Sequence, residues 1–268
     1  MAVSFDDIPV TRCSTKPRTS GLTIMIDPGY SYEELFSTVT SHGEYLDIVK
    51  LGFGTARVNH ILTTRKVEML STTSMEFCFG GTLAEDYIKD NLLGVFLDKC
   101  RAAGCTYVEI SNGSFEPLTS CLKSKCVRRA AEAGFKVLAE VGYKTRRLTD
   151  LSPTQWVEAI QLDLEAGATF VLLESRESGL SGIADKEGNL DMAIIEPIIA
   201  AGFPLERLIF EAATKKLQVE LIKKFGCEVN LANINRDDLQ SLQTLRMYAR
   251  GDTFNDRVSG TQFDPDHI

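Results

Sequence analysis

The chain has 268 residues, 44% of them hydrophobic, and a mean hydropathy of -0.05, the profile of a globular protein able to bury a sizeable core. Its 37 acidic side chains outnumber 29 lysines and arginines, for a formal net charge of -8. That balance argues against a nucleic-acid footprint or an anionic membrane surface, but a few focused cations can still hold a small anion.

Seven cysteines without a CxxC spacing and only three histidines offer neither a disulfide framework nor a zinc site. Reduced thiols in a cytoplasmic protein are expected. The N-terminal stretch lacks an apolar leader core, and no run approaches the ~18 apolar residues that span a bilayer.

In chain order, short apolar runs predict strands at 22–26, 45–51, 76–79, 106–110, 136–141, 170–173, 208–210 and 229–231. Amphipathic segments predict helices near 31–42, 57–72, 84–103, 118–133, 153–166, 190–201, 214–225 and 236–249. Ser152-Pro153 marks a helix start, and Gly104, Gly134, Gly167 and Gly202 mark stops. This alternation predicts an α/β fold: a single-domain TIM (β/α)8 barrel over 1–268, with loose tails at about 1–20 and 254–268.

A barrel of this kind works at the C-terminal ends of its strands. Charged residues gather there: Asp27 after the first strand, Lys50 on the second, Glu109 on the fourth and Glu140 on the fifth. Glu174 and Arg176 follow the sixth strand, and Glu211 and Lys215 the seventh. Charges in apolar strands are costly unless paired or bound to an ion, so a ligand-binding ring is expected over a structural ion-pair network. Carboxylates with almost no histidine favour Mg2+, with Asp27, Glu109, Glu140, Glu174 and Glu211 as candidate ligands. Lys50 and Arg176 are expected to hold a substrate carboxylate or phosphate, with Lys215 as a further candidate. Gly81 and Thr82 read either as a phosphate cradle at a helix start or as a tight turn. Asn233 reads either as a substrate contact or as a helix cap.

The ordered strings GLTIMIDPG, YLDIVKLGFGT, FGGTLAE, VEISNGS, AGFKVLAEVGYK, LEAGATFVLLESRESGLSGI, IFEAATKKLQ, VNLANI and LRMYARGDT resemble the phosphosulfolactate synthase family over about 18–254. A more distant resemblance is to the plant heat-stress-associated proteins of the same fold. The family resemblance implies a TIM barrel and Mg2+-dependent addition of sulfite to phosphoenolpyruvate, giving (2R)-phospho-3-sulfolactate on the way to coenzyme M. It also implies a homo-oligomer, with a trimer as one expectation. For the proton that the product gains at C2, Lys144 is the expected donor and Tyr143 the alternative. The chain departs from the family pattern at Pro28, Phe53, Tyr143, Ala213, Leu217 and Ala232. The alternatives are a related barrel enzyme acting on another phosphorylated carboxylate and a non-catalytic stress-associated binding protein.

Overall fold

The computed structural model describes residues 14–143, 151–175 and 178–256. Strands and helices alternate: β1 (Thr23–Asp27), α1 (Tyr32–His42), β2 (Ile48–Leu51), α2 (His60–Thr72), β3 (Glu76–Phe79), α3 (Gly81–Lys89), α4 (Leu93–Ala102), β4 (Tyr107–Ile110), α5 (Ser120–Glu132), β5 (Lys136–Val141), α6 (Pro153–Glu165), β6 (Phe170–Leu173), α7 (Met192–Ala200), β7 (Leu208–Glu211), α8 (Lys215–Phe225), β8 (Asn230–Ile234) and α9 (Leu239–Arg246). Parallel ladders join the strands in the order β3-β2-β1-β8-β7-β6-β5-β4. β3 and β4 pack side by side where the ring comes round, giving a nearly closed TIM barrel as expected.

Local chemistry explains the element ends. Ser31 and Ser152 form capping boxes with Glu34 and Gln155. Gly104, Gly134, Gly167 and Gly202 end their helices with φ of +82°, +90°, +99° and +73°. Three expectations are corrected. The helix expected over 84–103 is two helices, because Asn91 takes φ +60° and the backbone turns back onto Tyr87 and Ile88. The second strand starts at Ile48, not 45, because the amides of Tyr45 and Leu46 still donate to the His42 carbonyl at the end of α1. Residues 14–20 are no loose tail: Ser14 and Ser20 donate to Glu228, and Arg18 pairs with Asp47 at 3.1 Å.

Two apolar shells build the core. The larger fills the space between strands and helices; the smaller, including Ile24, Ile48, Tyr107, Leu138, Leu172 and Ile209, plugs the barrel. Side chains two apart on a strand share a face, and the plug therefore dictates what stands above it. Ile24 lies below Ile26, Ile48 below Lys50, Cys78 below Gly80 and Tyr107 below Glu109. Leu138 lies below Glu140, Leu172 below Glu174 and Ile209 below Glu211.

The opposite end is sealed by Arg246, which is 1% exposed and donates to the carbonyls of Leu22, Cys227 and Val229. Arg246→Met should strand these buried acceptors and lower stability by about 3 kcal/mol, read by urea unfolding. A loss below about 1 kcal/mol would show that the seal does not depend on this guanidinium.

Candidate active site

The charged tier lines a cavity of about 170 Å³ at the C-terminal ends of the strands. Four of its lining residues are carboxylates (Glu109, Glu140, Glu174 and Glu211), and one, Lys50, is a cation. All five are at least 96% buried. A larger hollow of about 290 Å³ beside it holds Arg57 and Asp86, but these exposed groups pair with each other.

Lys50 Nζ lies 2.9 Å from Glu109 Oε2 and 3.4 Å from Glu211 Oε1. Burial acts to lower its pKa, but Glu109, Glu211 and Glu140 outweigh that and hold it well above the ordinary lysine value. These carboxylates favour the cationic form of Lys50. Glu109 is fixed on its other side, where Oε1 accepts from the Gly81 amide at 2.6 Å, at the N-terminus of α3. The contact explains the glycine: a Cβ at position 81 would lie 2.4 Å from Ser111 Oγ. Gly80, Gly81 and Thr82 do line the cavity, with the Gly81 amide engaged by Glu109.

Glu140, Glu174 and Glu211 each offer an oxygen within 4.8 Å of the others, and could hold a metal ion. Oxygens about 2.1 Å from one Mg2+ lie about 3 to 4.2 Å apart, so the three carboxylates would draw together around a bound ion. Their placement is prepared from behind. The Ser175 amide and hydroxyl donate to the Glu211 carboxylate and carbonyl at 3.2 and 2.9 Å. Gly142, at φ +134°, lets β5 pass Glu174 where a Cβ would approach to 2.4 Å. Lys123 Nζ reaches from α5 to the Glu140 carbonyl at 2.6 Å and pairs with Asp163 of α6, also at 2.6 Å. Burial raises the Asp163 pKa against the pull of that ammonium.

Other expected residues are engaged elsewhere. Asp27 caps the amides of Gly29 and Tyr30 and pairs with buried Lys66 at 2.6 Å, outside the carboxylate arc. Lys215 pairs with Asp252 at 2.8 Å and is half exposed. Tyr143 is half-buried after β5 and is not among the cavity-lining residues. Asn233 lines the cavity. Lys144 and Arg176 lie outside the described residues.

Sequence reading missed Ser175, Lys66, Lys123 and Asp163. The last three had a signal: each sits at an apolar position of its helix, Lys66 with Met69 and Leu70, Lys123 with Val127, and Asp163 with Ala159 and Ile160.

The barrel and the buried acidic tier at its mouth define a TIM-barrel enzyme class. The family model described as "(2R)-phospho-3-sulfolactate synthase (ComA)" matches residues 11–252, and the chain belongs to that family. Phosphosulfolactate synthase of Bacillus subtilis is 39% identical over 92% of this chain and 97% of its own length. That of Methanocaldococcus jannaschii is 37% identical over 87% and 94%. Among solved structures, 3-hexulose-6-phosphate synthase from Salmonella typhimurium aligns with a TM-score of 0.54 at 12% identity, over 85% of this chain and 100% of that one. Thiamine phosphate pyrophosphorylase from Pyrococcus furiosus gives 0.53 at 12% identity, over 87% and 98%. These two likenesses concern the fold alone. Among the described residues no helix is long and apolar enough to cross a membrane.

Two expectations test the buried charges. Lys123→Met should cost about 3–5 kcal/mol in urea unfolding by stranding Asp163, and Lys123→Met with Asp163→Leu should recover most of it. Equal losses in the single and double variants would refute that account. Because the Lys50 pKa is raised on folding, its stabilisation is complete below the unfolded value of about 10.4 and is lost as pH rises through the folded value. Lys50→Met should therefore destabilise the protein by the same amount at pH 7 and pH 9, and by less as pH is taken above about 10.4. A pH-independent loss would show that packing, not charge, dominates.

Proposed function

We propose that the protein catalyses the Mg2+-dependent addition of sulfite to phosphoenolpyruvate, forming (2R)-phospho-3-sulfolactate. The supporting observation is the convergence of Glu140, Glu174 and Glu211 beside the Lys50 ammonium in a chain of this family. The product named by the family supports these reactants: disconnecting its carbon–sulfur bond and the C2 proton leaves sulfite and the enol phosphate of pyruvate. Sulfite sulfur bonds to C3, the C2–C3 π pair moves to C2 and the carboxylate, and C2 then takes a proton.

In this reading Glu140, Glu174 and Glu211 hold Mg2+, whose oxygen-only ligand preference they match. Bound there, the cation supplies Lewis-acid stabilisation for charge developing on the substrate carboxylate. Glu109 is assigned a different part from the metal ligand expected of it: with its oxygens on Gly81 and Lys50, it aims the lysine. Lys50 orients the anionic substrate as a fixed charge. Arg176 is assigned to the phosphate or carboxylate, and the C2 proton to Lys144, with Tyr143 second. We extend the reading to a cytoplasmic homo-oligomer; Val58, just before α2, and Ile61, in its first turn, are 85% and 78% exposed and offer an apolar contact face.

The test is incubation with phosphoenolpyruvate, sulfite and Mg2+, with mass detection of the adduct. Adduct formation should cease in chelator, and Glu140→Gln should raise the Mg2+ concentration for half-maximal rate at least tenfold. Absence of adduct from the native enzyme, or full activity in chelator, overturns the proposal. Lys144→Ala should lower turnover more than Tyr143→Phe; the reverse order transfers the proton to the tyrosine.

A further inference from the structure

Asn233 reaches the cavity only because β8 breaks its own alternation. Ala232 belongs to the barrel plug, so the next residue should face outward and Ile234 inward. Instead Asn233 lines the cavity and Ile234 packs in the outer core. The ladder to β1 shows how: Thr23 pairs with Leu231 and Met25 with Ile234, so three steps on β8 oppose two on β1. This is a bulge, and Asn233 takes φ +56° within it, a left-handed conformation that asparagine tolerates better than most residues. Strand register has been adjusted to point one amide inward.

That amide has a need. Asn233 is 9% exposed, and its Oδ1 is buried with no hydrogen-bond partner among the described residues. An unpaired buried acceptor is expensive, and such atoms in native proteins mark strain or an unfilled ligand position. Around it the cavity supplies mostly further acceptors. Ionised carboxylates accept rather than donate, and Lys50 is engaged by Glu109 and Glu211. β8 is the ladder neighbour of β7, which continues to β6 and β5, so Asn233 extends the arc of Glu140, Glu174 and Glu211 onto a fourth adjacent strand. A hard cation held by these carboxylates would satisfy the acceptor as well.

We propose that the Asn233 side-chain oxygen is a neutral fourth protein ligand of a divalent cation held by Glu140, Glu174 and Glu211, and that the bulge in β8 exists to place it. The inference rests on the metal assignment under Proposed function. Its test is calorimetric titration of Mn2+ alone into the native protein, Asn233→Gly and Asn233→Asp. Glycine removes the oxygen and suits the positive φ, so Asn233→Gly should keep its Tm yet bind Mn2+ at least tenfold more weakly. Asn233→Asp retains an oxygen and should bind within about threefold of the native protein or more tightly. If the native protein binds Mn2+ and Asn233→Gly binds it equally well, the ligand role is refuted while the metal assignment stands. Weakened phosphoenolpyruvate binding with Mn2+ affinity unchanged would likewise refute it, making the amide a substrate contact. If the native protein binds no Mn2+, the metal assignment fails and this inference fails with it.

Discussion

Everything at the mouth of this barrel depends on four carboxylates standing on an apolar plug. The residues beneath them, among them Tyr107, Leu138, Leu172 and Ile209, leave no polar layer to share the charge. Like charges in a weakly polarisable surrounding repel strongly, and a buried carboxylate that lacks compensation normally takes up a proton. Compensation must therefore come from the side or from above. Lys50 supplies it on one side, and the amide of Gly81 at a helix N-terminus supplies it to Glu109.

A second set of buried charges faces away from the cavity and serves the first. Asp27 with Lys66 ties the end of β1 to α2 and shapes the turn that follows. Asp163 with Lys123 joins α6 to α5, and the lysine also takes the Glu140 carbonyl. The β4–β5 ladder has its last pair at Ile110 and Ala139, so this ammonium acts just where strand pairing to β4 ends. Buried ion pairs of this kind are weak sources of net stability but strict about geometry. Their placement behind a catalytic-type tier is consistent with holding strand ends in register.

The strand-borne tier was legible because period-two alternation and the C-terminal-end rule act locally. Glu109, Glu140, Glu174 and Glu211 could be found that way. The same rule, applied strictly, excludes Asp27: Ile26 is the inward residue of β1, and its neighbour must face the helices. Lys215 misled for another reason, since it already belongs to the first turn of α8 and its long chain turns to Asp252. The bulge at Asn233 could not be read, because a register shift depends on the neighbouring strand. Nor could Lys66, Lys123 and Asp163 be assigned partners, since a charge at an apolar helix position announces burial without saying what it meets. The break at Asn91 escaped because polar residues on a surface helix look alike whether the helix continues or turns.

The departures from the family pattern can be placed on this framework. Ala232 sits within the plug, where it adds apolar contact below Asn233. Phe53 lies at the rim, 54% exposed and at φ +53°, and Tyr143 sits beyond β5 outside the cavity lining. None replaces a carboxylate of the tier or Lys50. Residues on rigid strands hold geometry fixed, whereas rim residues on loops can vary without disturbing it. Changes at positions 53 and 143 therefore lie outside the strand-borne tier and leave its carboxylates and Lys50 in place.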